Sequence, residues 1–121
     1  MGWDAYAQPN RLTKAQHDEF RRAATTVKRR SKGSGVDGYL IDGALDCSDS
    51  GSYLADITGE NVYVEWPWSK EMVKVLADTA KRMYSDPKVW NIEDDRLWAF
   101  WSAYYFLMTC AKLGKGIKFS Y

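Results

Sequence analysis

Leu97-Trp98-Ala99-Phe100-Trp101-Ser102-Ala103-Tyr104-Tyr105-Phe106-Leu107-Met108-Thr109-Cys110-Ala111 decides the fold: fifteen consecutive residues without a charge, between Arg96 and Lys112. No proline or glycine interrupts the run. A helix that is apolar on every side is one that other elements surround, so the pattern predicts a central core helix. Glu93, Asp94 and Asp95 precede it, where acids complement the helix dipole. Asn91 is the expected N-cap and Gly114 the expected left-handed stop. A membrane span needs roughly 20 apolar residues. This run is shorter and contains Ser102, Tyr104, Tyr105 and Thr109, so no membrane partner is expected.

Working outward, Ser69 is an N-cap directly after Pro67 and Trp68, and Ser85-Asp86-Pro87 ends the helix that follows. Met72, Val73, Leu76, Ala80 and Met83 form its expected buried stripe. Lys70, Glu71, Lys74, Asp78, Lys81 and Arg82 are expected to face water. Trp68 and Val73 have the spacing of a hydrophobic staple. Thr13 and Gln16 have capping-box spacing, and Phe20, Ala23, Ala24 and Val27 recur at helical period, predicting a helix to about Arg30. Lys32-Gly33-Ser34-Gly35 stops it. Val36–Ile41 is a strand or an extended approach. Asp46 or Ser48 caps a short helix carrying Tyr53, Leu54 and Ile57, ended by Thr58-Gly59.

The fold expected is mainly α (α+β). Three long helices and one short helix are arranged around the aromatic helix in the C-terminal part of the chain. A minor β element comes from Gly2–Tyr6, Asn61–Trp66 and Ile117–Tyr121. With 121 residues the chain suits a single domain, 1–121.

Net charge is +1, so no global pull toward nucleic acid or anionic membranes exists. Two cysteines, Cys47 and Cys110, suit a reducing compartment. Together with His17 they are too few for a metal site, and no cofactor is implied. The opening Met1-Gly2-Trp3-Asp4-Ala5-Tyr6-Ala7 lacks the basic and apolar regions of a signal peptide, and Tyr6 stands where a myristoylation motif wants Ser or Thr. A cytoplasmic location is the expectation.

Charge is segregated along the chain. Residues 21–32 carry Arg21, Arg22, Lys28, Arg29, Arg30 and Lys32 and no acid. That run reads either as a phosphate-contacting patch or as the ordinary basic end of a helix. Residues 33–69 carry Asp37, Asp42, Asp46, Asp49, Asp56, Glu60 and Glu65 and no Lys or Arg. They form a surface that imitates nucleic acid or docks on a basic partner, or a solvated face that balances the basic run. Trp66-Pro67-Trp68 is a hot spot if the indoles are exposed, and a strand-to-helix corner with Trp66 in the core if they are not. Trp98, Trp101 and Tyr105 would anchor a homodimer if the aromatic helix were partly exposed.

Catalytic patterns are thin. Gly-x-Ser-x-Gly is absent, and Gly33-Ser34-Gly35 lacks the lysine and spacing of a phosphate loop. Asp42, Asp46 and Asp49 are the residues a small metal-dependent hydrolase would use. The expectation is a non-enzymatic protein, with Arg29, Arg30, Asp42, Asp49 and Trp66 as partner-binding residues. The alternatives are a nucleic-acid-binding accessory protein using residues 21–32, and that hydrolase.

The opening segment, the Leu45-Asp46-Cys47-Ser48 stretch before a short helix, and the Trp-rich segment and helix from Trp66 to Met83 resemble a loose group of small phage and prophage proteins. The resemblance touches about a third of the chain. It implies a protein made inside an infected bacterium, where small accessory proteins inhibit host defence complexes such as CRISPR effectors. It implies no functional residue.

Overall fold

A computed structural model describes residues 3–31, 40–41, 43–62, 66–84 and 86–120. Among the described residues, four helices and a small antiparallel sheet confirm a mainly helical α+β fold. In chain order they are β1 (Asp4–Gln8), α1 (Lys14–Arg30), β2 (Leu40–Ile41), β3 (Ala44–Asp46), α2 (Cys47–Thr58), α3 (Lys70–Met83), α4 (Leu97–Lys112) and β4 (Gly116–Ser120). Helices α1, α2 and α3 all pack on α4. Twelve α4 residues are buried, as its lack of charge requires.

The sheet runs β2-β3-β1-β4. Its alternation is legible in the pairing. Leu40 faces Leu45, Leu45 faces Ala5 and Ala5 faces Phe119, and all four are buried. In the next row Tyr6 faces Lys118, and both are exposed. Small Ala5 and Ala7 in the central strand leave room for large neighbours. Trp68 closes the far edge of β4 with two backbone bonds, Trp68 N–H to Ile117 O at 2.8 Å and Ile117 N–H to Trp68 O at 3.0 Å. A Cβ on Gly116 would lie 2.5 Å from Trp68 O, so only glycine permits that approach.

Capping follows the sequence at three helices. Thr13 and Gln16 form the full capping box on α1, Asp46 caps α2 through Ser48 N–H, and Ser69 caps α3 through Met72 N–H. Gly59 and Gly114 take the left-handed conformation, with φ of 69° and 65°. Gly51, in the middle of α2, lies beneath the Trp3 indole, where a Cβ would collide with the ring at 2.2 Å.

Several expectations need correction. Asn91 does not cap α4; it takes φ 55° and ends a 3-10 turn at Pro87–Trp90. Asp94–Arg96 form a second 3-10 turn, and α4 begins only at Leu97. The acids therefore lead into the helix from outside its first turn. Asn61, Val62 and Trp66 lie in no strand, while 63–65 fall outside the described residues; the pairing expected there comes from Trp68. Leu40–Ile41 are strand, whereas 36–39 are outside the described residues, as are Gly2 and Tyr121. Strand β3 had no counterpart in the sequence reading. On α3 the buried set is Val73, Ala77 and Ala80, and Met83 is exposed. Trp68 and Val73 share the core, but Trp66 is 68% exposed. Trp98 and Trp101 are buried within this chain, which removes them as surface anchors.

One buried cation organises the β1–α1 connection. Lys115 is buried, and its Nζ donates to Pro9 O at 2.9 Å and Arg11 O at 3.1 Å. A buried ammonium needs such partners to offset desolvation.

Candidate functional site

Helices α1, α3 and α4 enclose an open groove of about 630 Å³. Two small residues, Ala77 on α3 and Ala111 on α4, are part of its wall. Four cations line it: Arg30 from the last turn of α1, Lys74 and Lys81 from α3, and Lys112 from the end of α4. Among the described residues Asp78 is the one lining carboxylate, and Tyr104, Tyr105 and Met108 supply the aromatic and thioether wall. Lys74, Asp78 and Lys81 stand at i, i+4 and i+7, one stripe of α3.

Arg30 is the pivot. Its guanidinium lies 4.6 Å from the Trp101 ring centroid and 5.9 Å from that of Tyr105. It also lines a second recess of about 270 Å³ with Asp86, Lys88, Asp94 and Trp101. Stacking holds the guanidinium plane. Among the described residues, Arg30, Lys74 and Lys81 have no carboxylate partner.

Lys112 differs. Its Nζ meets Glu19 Oε2 at 2.8 Å, and Glu19 also pairs with Arg22. The Lys112 and Arg22 hydrogen bonds hold the Glu19 carboxyl below its ordinary pKa. Burial, with Tyr105 alongside, pushes the Tyr104 phenol up, while Arg30 opposes the shift. Tyr104 is therefore a neutral hydroxyl at pH 7.

The residues expected to bind a partner are dispersed. Arg29 is exposed at the end of α1, and Arg30 reaches the groove. Asp42 lies outside the described residues. Asp49 pairs with Arg96 at 3.4 Å, and neither Asp49 nor Trp66 lines the groove. Arg21 and Arg22 are engaged by Asp18 and Glu19, one turn earlier on the same helix. The basic run is thus partly neutralised from within α1.

Of the carboxylates a hydrolase would use, Asp46 caps α2, Asp49 pairs with Arg96, and Asp42 lies outside the described residues. Among the described residues, no group of three or more His, Cys, Asp and Glu is placed to hold a metal ion. Burial pushes both thiols well above their ordinary pKa; Asp4 and Asp46 add to the effect at Cys47, while Lys115 opposes it at Cys110. Both are free and buried within the chain. Among the described residues, no helix is long and apolar enough to cross a membrane.

Lys74 and Lys81 were legible as water-facing residues and Lys112 as the last-turn cation of its helix; Tyr104 and Met108 were legible as core, and Tyr105 as core or as a homodimer anchor. The one available signal was the i, i+7 spacing of Lys74 and Lys81 around a small residue, Ala77.

Fold and groove define the class: a small α+β domain built round one apolar helix, with a cationic recess on one flank. Comparison with known families, characterised proteins and solved structures finds no match to narrow that class.

Proposed function

We propose that this chain is a non-enzymatic binding protein that acts by covering a surface of a partner complex. One observation carries the reading: Arg30, Lys74 and Lys81 converge on an open groove with no carboxylate partner among the described residues. Concentrated cationic charge beside a part-apolar wall favours an anionic group from outside and steers its approach. Arg29 and the exposed Trp66 extend the contact surface beyond the groove. Asp49 is a weaker contact, since Arg96 already engages it. The phage-like opening segment supports a setting: an inhibitor, made in the host cytoplasm, that occludes a defence complex such as a CRISPR effector.

The test is affinity capture from lysate of a bacterium with active CRISPR and other defence systems. A single stoichiometric defence complex is expected with the wild-type chain. A Lys74→Ala/Lys81→Ala variant should recover at least tenfold less. Recovery of no partner complex, or equal recovery by the variant, overturns the reading.

A further inference from the structure

We infer that the groove between α1, α3 and α4 recognises a nucleotide unit, a phosphate joined to a flat aromatic base. The inference rests on the groove being the binding face and names the chemistry that fills it. Three features point there together. The volume of about 630 Å³ falls in the range of small-ligand sites, roughly 300–1,000 Å³. That is far more than a bare phosphate occupies.

The charge sits where a phosphate needs it. The Arg30 guanidinium is held against Trp101, and no described acceptor bonds to it. A planar guanidinium fork matches two phosphate oxygens. Lys74 and Lys81 flank the recess from α3 as point charges. Asp78, between them, is the carboxylate an incoming anion must avoid. Lys112 contributes less, because Glu19 holds it.

The remaining wall is suited to a base. Tyr105 and Met108 are both half-buried and line the groove beside Ala77 and Ala111. Base stacking on aromatic side chains contributes about 1–3 kcal/mol per base and tolerates any base identity. A peptide of acidic residues alone would satisfy the cations but leave Tyr105 and Met108 without a partner. The nucleotide unit comes either as a free mononucleotide or as one unit of a single strand.

Isothermal titration of the full chain separates these sources. The probes are adenosine 5′-monophosphate, adenosine, inorganic phosphate, a six-residue oligodeoxyadenylate and a hexaglutamate peptide. We expect the mononucleotide or the oligonucleotide to bind at least tenfold tighter than adenosine or phosphate. Binding should weaken as salt rises. Preference for the mononucleotide assigns the site to free nucleotides, and preference for the oligonucleotide assigns it to a strand. Lys74→Ala/Lys81→Ala should weaken either at least tenfold. Lys74→Glu alone, at an exposed position, is a second variant with the same expected direction. Binding of neither nucleotide form, or binding unchanged in both variants, overturns the inference. Hexaglutamate binding alone also overturns it, while leaving a binding protein with an acidic protein partner.

Discussion

The two faces of α4 are built from similar residues and serve opposite ends. Ala99, Phe100, Ala103, Phe106, Leu107 and Cys110 are all 0% exposed. Leu97, Trp101, Tyr104, Tyr105, Met108 and Lys112 run along the other face and line the two recesses. The first face meets apolar partners, such as Phe20 against Phe106 at 6.3 Å and Tyr53 edge-on to Phe100 at 6.1 Å. The second meets the cations of α1 and α3. An uncharged helix is therefore not uniformly core: it is sealed where its neighbours are apolar, and it opens onto the charged groove at the half-buried Tyr105 and Met108. Stability should reside on the first face and recognition on the second.

Phe106→Ala gives the largest effect. It empties a fully enclosed ring site and should cost about 3–5 kcal/mol, lowering Tm by roughly 10–20 °C. Calorimetry reads this directly, and a loss under about 1 kcal/mol would break the contrast. Lys115→Met comes next. It removes the donor held by Pro9 O and Arg11 O and should cost about 2 kcal/mol in urea unfolding. Arg30→Ala follows, with about 1 kcal/mol from the lost stacking on Trp101. Its effect on ligand binding should exceed its effect on Tm, the reverse of Phe106→Ala. Lys115 and Arg30 thus separate a cation used by the fold from a cation left for a partner.

That separation also explains what the sequence made legible. α1, α3 and α4 were readable because each carries its own signal: a capping pair at Thr13 and Gln16, a cap at Ser69, and an unbroken uncharged run. The α4 start was misplaced because three acids after Asn91 look like a first turn, yet they form a separate 3-10 turn. Strand β3 has three residues, too few for a period to show. Trp66 and Trp68 are two positions apart; the staple spacing to Val73 pointed to Trp68 turning inward, but nothing local showed that Trp66 is exposed. The groove was hidden for a deeper reason. Arg30 lies over 40 positions from Lys74, and Lys112 lies a further 31 beyond Lys81. No local pattern encodes their meeting; packing of three helices around α4 does.

The smallest effect on stability comes from Glu19, the acid that links the two regions. Its carboxyl is held below the ordinary value of 4.5 by Lys112 and Arg22. Above that value it is ionised in both folded and unfolded chains, and the stabilisation is fully present. As pH falls through 4.5 the unfolded chain takes up its proton first, so stability drains away until the folded group is protonated too. The wild-type Tm should therefore fall further between about pH 5 and pH 3 than that of Glu19→Gln, which has no carboxyl to protonate. Equal falls would mean that Glu19 is not engaged in solution. At neutral pH the same substitution releases Lys112 at the groove rim, where a fourth uncompensated cation strengthens anion binding. A variant that alters Tm little at pH 7 yet binds a nucleotide more tightly would show that Glu19 sets how much of the charge on the second face of α4 is free to act.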